Sequence, residues 1–136
     1  MNKKCKFCNG EVDTALVILE SPLSRVVANY FPMGKMSLLA IPRRHITSIT
    51  QMEPEEMQDL MHLIAMTVNK IKEKLSPEGF NIFLNEGVVA GQTVDHVHFH
   101  VVVRSKDDGL KNFCRIDENK KPITIVELDN IKELFY

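Results

Sequence analysis

The chain has 136 residues and a mass of 15.5 kDa, the size of one ordinary domain. Its 44% hydrophobic and 26% charged residues are the composition of a globular protein, not of a disordered one. The 17 basic and 18 acidic residues leave a net charge of −1, which excludes the basic footprint of a duplex nucleic-acid binder, and no apolar run approaches the roughly 20 residues of a membrane span.

Met1-Asn2-Lys3-Lys4 leads directly into Cys5, with no apolar segment of the kind a secretory signal needs. A cytoplasmic protein with reduced thiols is therefore expected. Three cysteines cannot make a disulfide framework, because one is always left over. Cys5 and Cys8 form a C-x-x-C pair, which reads as half a metal site or as a redox pair. Its place at the N-terminus, with no strand before it, favours the metal. Cys114 stands alone and is expected to be a small buried hydrophobe or a free thiol.

Residues 15–19 and 25–30 read as strands joined by a Ser21-Pro22 turn, and 37–41 as a third strand stopped by Pro42. A long helix follows. Pro54 suits the first turn, with Glu53, Glu55 and Glu56 at the positive end of the macrodipole. Met57, Leu60, Met61, Ile64, Ala65, Val68, Ile71 and Leu75 recur at spacings of three and four, the pattern of one buried stripe. The methionines are expected to pack, and His62, off the stripe, to face solvent. Ser76-Pro77-Glu78-Gly79 ends the helix. Residues 80–85 form a fourth strand, 86–93 a loop and 94–104 a fifth strand. In the tail, 105–136, residues 123–126 offer a short strand. The fold expected is a single α+β domain, an antiparallel sheet of about five strands with one long helix packed on it.

Asp95-His96-Val97-His98-Phe99-His100-Val101-Val102-Val103 is the segment that points to chemistry. On a strand the three imidazoles project from one face, while Val97, Phe99, Val101 and Val103 face the core. Three histidines in register suit a metal, a phosphate or proton transfer. The preceding loop supplies Asn85, Gly87, Gly91, Gln92 and Thr93, whose amides and hydroxyl can meet an anion.

These residues carry a resemblance. Asn85-Glu86-Gly87-x-x-Ala90-Gly91-Gln92-Thr93-Val94-x-His96-x-His98-x-His100-Val101 resembles the signature of the histidine triad family of nucleotide hydrolases and transferases. Leu38-Leu39-Ala40-Ile41-Pro42-Arg43-Arg44-His45-Ile46 resembles the family's second block, and Cys5-x-x-Cys8 matches its metal-binding branch. The match spans residues 5–104 and leaves the tail uncovered. The resemblance implies a histidine-triad-like fold and a covalent mechanism. His98 would be the nucleophile, held by a backbone carbonyl, and His100 a donor to the phosphate. Asn85, Gly91, Gln92 and Thr93 would line the phosphate site. Cys5, Cys8, His45 and His96 would hold a structural zinc. Substrates would be nucleoside phosphoramidates or dinucleoside polyphosphates, with a purine favoured.

Two positions depart from the family pattern. Ser37 stands where a fourth histidine is usual, and Asn29 where an acid grips the ribose. They support a second reading, a non-catalytic nucleotide-binding module stabilised by zinc. A homodimer is expected, since sheet edges need covering and two-fold dimers are the commonest assembly. The apolar content of the tail, Phe113, Ile123, Ile125, Val126, Leu128, Ile131, Leu134, Phe135 and Tyr136, is expected at the dimer interface or the rim of the nucleotide pocket.

Overall fold

A computed structural model describes residues 4–8, 16–110 and 121–136. Strands β1 (Val17–Glu20), β2 (Ser24–Ala28) and β3 (Ser37–Pro42) form a meander. Helix α1 (Pro54–Leu75) follows, then β4 (Gly79–Leu84), β5 (Phe99–Arg104) and helix α2 (Ile125–Glu133). The sheet order is β1-β2-β3-β5-β4, with every neighbouring pair antiparallel. This is the α+β architecture expected. Among the described residues, no helix is long and apolar enough to cross a membrane.

Helix α1 lies over β1, β2 and β3. Ile18, Val26, Ala28, Leu38 and Ala40 of the sheet meet Leu60, Leu63, Ile64 and Ile71 of the helix. Each Val, Leu or Ile among them, fully buried, contributes about 1.5–3 kcal/mol. On the opposite face Val27, Leu39 and Ile41 are covered by Cys5 and Phe7. Both faces of β3 are thus buried along all six residues, which is why Leu38-Leu39-Ala40-Ile41 is continuously apolar instead of alternating. That coverage seats the N-terminal cysteines on the sheet face away from α1.

The helix begins as expected: Pro54 opens it, and the Glu53 N–H donates to Glu56 Oε2 at 2.9 Å. It ends at Ser76, in the left-handed region, whose N–H reaches the Lys72 carbonyl. The expected stripe is rotated. Met57, Met61, Ala65, Met66 and Leu75 are exposed, whereas Leu63 and Thr67 are buried. Thr67 can be buried because its hydroxyl donates to the Leu63 carbonyl at 2.8 Å. The methionines of the helix therefore flank the contact instead of filling it. His62 is exposed as expected.

Other boundaries also move. Strand β2 ends at Ala28, and Asn29 and Tyr30 enter the turn. Pro42 closes β3 opposite Ser24. Strand β5 starts at Phe99 and not at Val94. Ahead of it, the Val97 N–H donates to the Ile46 carbonyl at 2.7 Å, outside any ladder. The proposed strand at 123–126 is instead the start of α2. Thr124 caps that helix and Glu127 reaches back to the Thr124 N–H. Nor does the tail avoid the domain core, for Ile131 and Phe135 are buried in it. Ala15, Phe113 and Cys114 lie outside the described residues.

Candidate active site and metal centre

The turn containing Cys5 and Cys8 packs against the segment that carries the histidines. The Cys8 N–H donates to the Cys5 carbonyl at 3.1 Å, folding the pair into a knuckle. Arg25, reaching over from β2, donates through Nη2 to the Phe7 carbonyl inside that knuckle. Four donors converge here: Cys5, Cys8, His45 and His96 place one ligand atom each within 4.8 Å of all the others. His96 Nδ1 lies 3.5 Å from Cys5 Sγ and 3.4 Å from Cys8 Sγ, and His45 Nδ1 lies 3.4 Å from Cys8 Sγ. In a zinc tetrahedron with ordinary bond lengths the sulfur–nitrogen edge is about 3.5 Å, so the donor set and its spacing fit that ion.

The surroundings favour the ligating form of His96. His96 Nε2–H donates to the Pro42 carbonyl at 2.8 Å, which leaves Nδ1 as the lone pair aimed at the sulfurs. Burial pushes the His96 imidazole down to about 4, so it is neutral near pH 7. Burial also raises the Cys5 thiol, and a divalent cation reverses that effect. His45 is carried by the β3–α1 connection. There Arg44 anchors the chain with two bonds to Glu56, 2.8 and 2.9 Å long, and a third to the Gln51 carbonyl.

His98 lies two residues beyond, just before β5, and is almost fully buried. Its Nδ1–H donates to the His96 carbonyl at 2.7 Å, which leaves the lone pair on Nε2. Burial lowers the pKa of this imidazole, although that bond opposes the shift. His98 and His100 stand 5.1 Å apart, centroid to centroid, with planes at 62°. The expected row of three therefore splits: His96 turns to the cysteines, while His98 and His100 remain together. Two aromatic rings that the sequence reading did not single out border them. Phe7 meets His98 edge-on at 5.3 Å and Phe83 stacks on His100 at 4.6 Å. Phe7 could have been noticed as the one apolar residue inside the C-x-x-C pair. Phe83 needs the strand register.

The loop from 85 to 93 joins β4 to the histidine-bearing segment. Gly87 and Gly91 have φ of 91° and 98°, values that favour glycine. The Gln92 carboxamide braces the loop, accepting from the Gly87 N–H at 2.7 Å and donating to the Val94 carbonyl at 2.9 Å. Glu86 ties it to the Ile49 N–H at 2.7 Å. Asn85 is half-buried at the end of β4 and Thr93 is exposed. Asn29 and Ser37 face each other in the turn between β2 and β3. Asn29 Nδ2 donates to Ser37 Oγ at 3.3 Å, and the Met33 N–H donates to the same oxygen at 2.8 Å.

A family model described as the HIT domain matches residues 10–107. An uncharacterised HIT-like protein of Methanocaldococcus jannaschii is 36% identical over 105 residues, 77% of this chain and 80% of that one. An adenosine 5'-monophosphoramidase of Schizosaccharomyces pombe is 30% identical over 104 residues, 76% of this chain and 74% of that one. Among solved structures, a zinc-bound histidine triad family protein from Mycobacterium smegmatis superposes with a TM-score of 0.74. The two are 27% identical, and the match covers 96% of this chain and 92% of the other.

Proposed function

The chain belongs to the HIT domain family, and from that premise we propose that it is a nucleotide hydrolase or nucleotidyltransferase acting through His98. The observation that carries this is the 2.7 Å bond from His98 Nδ1–H to the His96 carbonyl. It fixes the tautomer with a nucleophilic Nε2, and burial favours the neutral ring. Nε2 attacks the α-phosphorus of a nucleoside phosphoramidate or a dinucleoside polyphosphate. The phosphorus–nitrogen or phosphorus–oxygen bond to the leaving group breaks and the leaving group takes the electron pair, the amine gaining a proton from water and the polyphosphate departing as an anion. Positive charge that forms on the imidazole is shared with the His96 carbonyl. His100 donates to the phosphate oxygens, where negative charge grows. Water then cleaves the nucleotidyl-His98 adduct and releases the monophosphate. Another acceptor in place of water makes the reaction a transfer.

The phosphoramidase relative supports a purine phosphoramidate as first substrate. Asn85, Gly91, Gln92 and Thr93 are the proposed phosphate contacts and Asn29 the proposed ribose contact. Gln92 also shapes the loop. Cys5, Cys8, His45 and His96 would hold zinc, a four-coordinate ion that cross-links the N-terminus to the catalytic segment. A cytoplasmic homodimer completes the proposal. Its support is that β4 ends the sheet and that Ile82 on that edge is exposed.

One observation favours the non-catalytic reading: Asn29 and Ser37 bond to each other. Turnover decides between the two. Adenosine 5'-phosphoramidate and a diadenosine polyphosphate are assayed with wild type and His98→Ala. Loss of turnover in the variant, nucleotide affinity staying within about tenfold, and a trapped adduct on His98 are expected. Nucleotide binding by wild type with no turnover establishes the binding module instead.

A further inference from the structure

Strands β4 and β5 pair so that Phe83 stands directly opposite His100. The two rings stack, with centroids 4.6 Å apart and planes only 12° from parallel. Leu39 is opposite His100 on the other side, across the β3 ladder, and the His98 ring, two residues earlier, is 5.1 Å away. Phe83 is half-buried on an edge strand. The torsion that turns an imidazole about its own axis has broad minima. A parallel ring at this distance restricts that freedom to one plane, with two orientations related by a half-turn. The π face also attracts positive charge, so it favours the imidazole as a donor to an anion.

We propose that Phe83 is a positioning residue of the reaction: its ring holds the His100 imidazole in the plane from which it donates to the phosphate. The inference rests on the reading of His98 as nucleophile. Phe83 acts through His100. Fixing a donor for the moment when charge moves onto the phosphate oxygens affects the transition state more than the bound ground state.

The test uses the full-length protein and adenosine 5'-phosphoramidate, with Phe83→Leu, Phe83→Tyr and His98→Ala measured together. Phe83→Leu is expected to lower kcat by about 10- to 100-fold and to leave KM within about threefold. Phe83→Tyr, which keeps the ring, is expected to recover kcat to within about threefold of wild type. A Leu variant with wild-type kcat overturns the inference, as does a loss carried by KM or a loss that Tyr does not recover. In wild type, the carbon-bound ring protons of His100 should be shifted upfield by the aromatic face. Ordinary shifts overturn the inference even if the Leu variant does not fold. Should His98→Ala retain turnover, the underlying mechanism fails. With His98→Ala inactive and Phe83→Leu fully active, the inference alone fails.

Discussion

The Phe7 ring stands edge-on to the His98 imidazole, centroids 5.3 Å apart and planes at 73°, while the same ring meets His96 at 5.6 Å and 80°. Phe7 lies between the two cysteines, so whatever fixes the knuckle also fixes one wall of the His98 site. Removing a metal bound by Cys5, Cys8, His45 and His96 should then affect catalysis although none of these is the proposed nucleophile. Purified protein is expected to carry close to one equivalent of zinc. Cys5→Ser, or chelation of wild type, is expected to remove it, lower the melting temperature and reduce kcat by about tenfold. Metal analysis, a thermal melt and steady-state rates check this. Zinc-free protein with unchanged kcat would break the link between knuckle and His98.

The Asn29–Ser37 pair gives a second prediction. Asn29 Oδ1 accepts from the Phe31 N–H at 3.2 Å, so both ends of the carboxamide are engaged in the turn. In Asn29→Asp the Phe31 bond survives, the Ser37 hydroxyl can donate to the carboxylate, and a charged acceptor faces the proposed ribose. Charge-assisted hydrogen bonds are about twice as strong as neutral ones. The variant is therefore expected to lower KM for a ribonucleotide substrate by about five- to tenfold, with little change for its 2'-deoxy counterpart. Equal effects on both substrates would remove Asn29 from the ribose site.

The two families of residues differ in how far the sequence discloses them. The meeting of Cys5, Cys8, His45 and His96 could be expected because the C-x-x-C pair and the histidine motifs carry the family resemblance. The five strands and α1 could be read because hydrophobic period and end signals agree, as at Pro54 and Glu56. Contacts that depend on strand register, such as Phe83 on His100, could not. The start of β5 was misplaced because alternation continues through 94–98, whereas the Ile46 and Pro42 carbonyls take the Val97 and His96 donors there. In the tail, Thr124 and Glu127 are a capping box, a helix-start signal that the β-branched run at 123–126 masked.

Acid stability gives the third prediction. Hydrogen bonds from Arg44 hold the Glu56 carboxyl below the usual carboxylate range. A depressed pKa in the folded state means that the stabilisation is fully present above the unfolded value, about 4.3. It is lost as pH falls through the folded value. Glu56→Gln keeps an acceptor for the Glu53 N–H and removes the charge, so its melting temperature should fall less steeply below pH 5 than that of wild type. Glu56→Ala also loses the helix-start bond, a further loss of about 1 kcal/mol at neutral pH. Melts between pH 3 and 7, roughly the range over which a carboxylate titrates, check both. Parallel curves for Glu56→Gln and wild type would show that this carboxylate does not carry the acid sensitivity.

The last prediction concerns the tail. Ile131 and Phe135 of α2 and its C-terminal turn are buried with Ile18, Leu38 and the α1 side chains, and Leu128 and Leu134 pack against the same cluster. The Tyr136 hydroxyl donates to the Ile18 carbonyl at 2.8 Å, and the Ile123 N–H to the Tyr30 carbonyl at 2.7 Å. The tail thus closes the end of the core above β1 and β2, although Ile125, Val126 and Tyr136 keep most of their surface exposed. Truncating a buried aromatic typically removes about 3–5 kcal/mol. Phe135→Ala is therefore expected to lower the melting temperature by about 10 °C, while zinc content stays unchanged because every proposed ligand lies before residue 97. Val126→Ser, at an exposed position, is expected to leave the melt within about 0.5 kcal/mol of wild type. If Phe135→Ala melts like wild type but dissociates a dimer in light scattering, the tail serves assembly and not the core of its own domain.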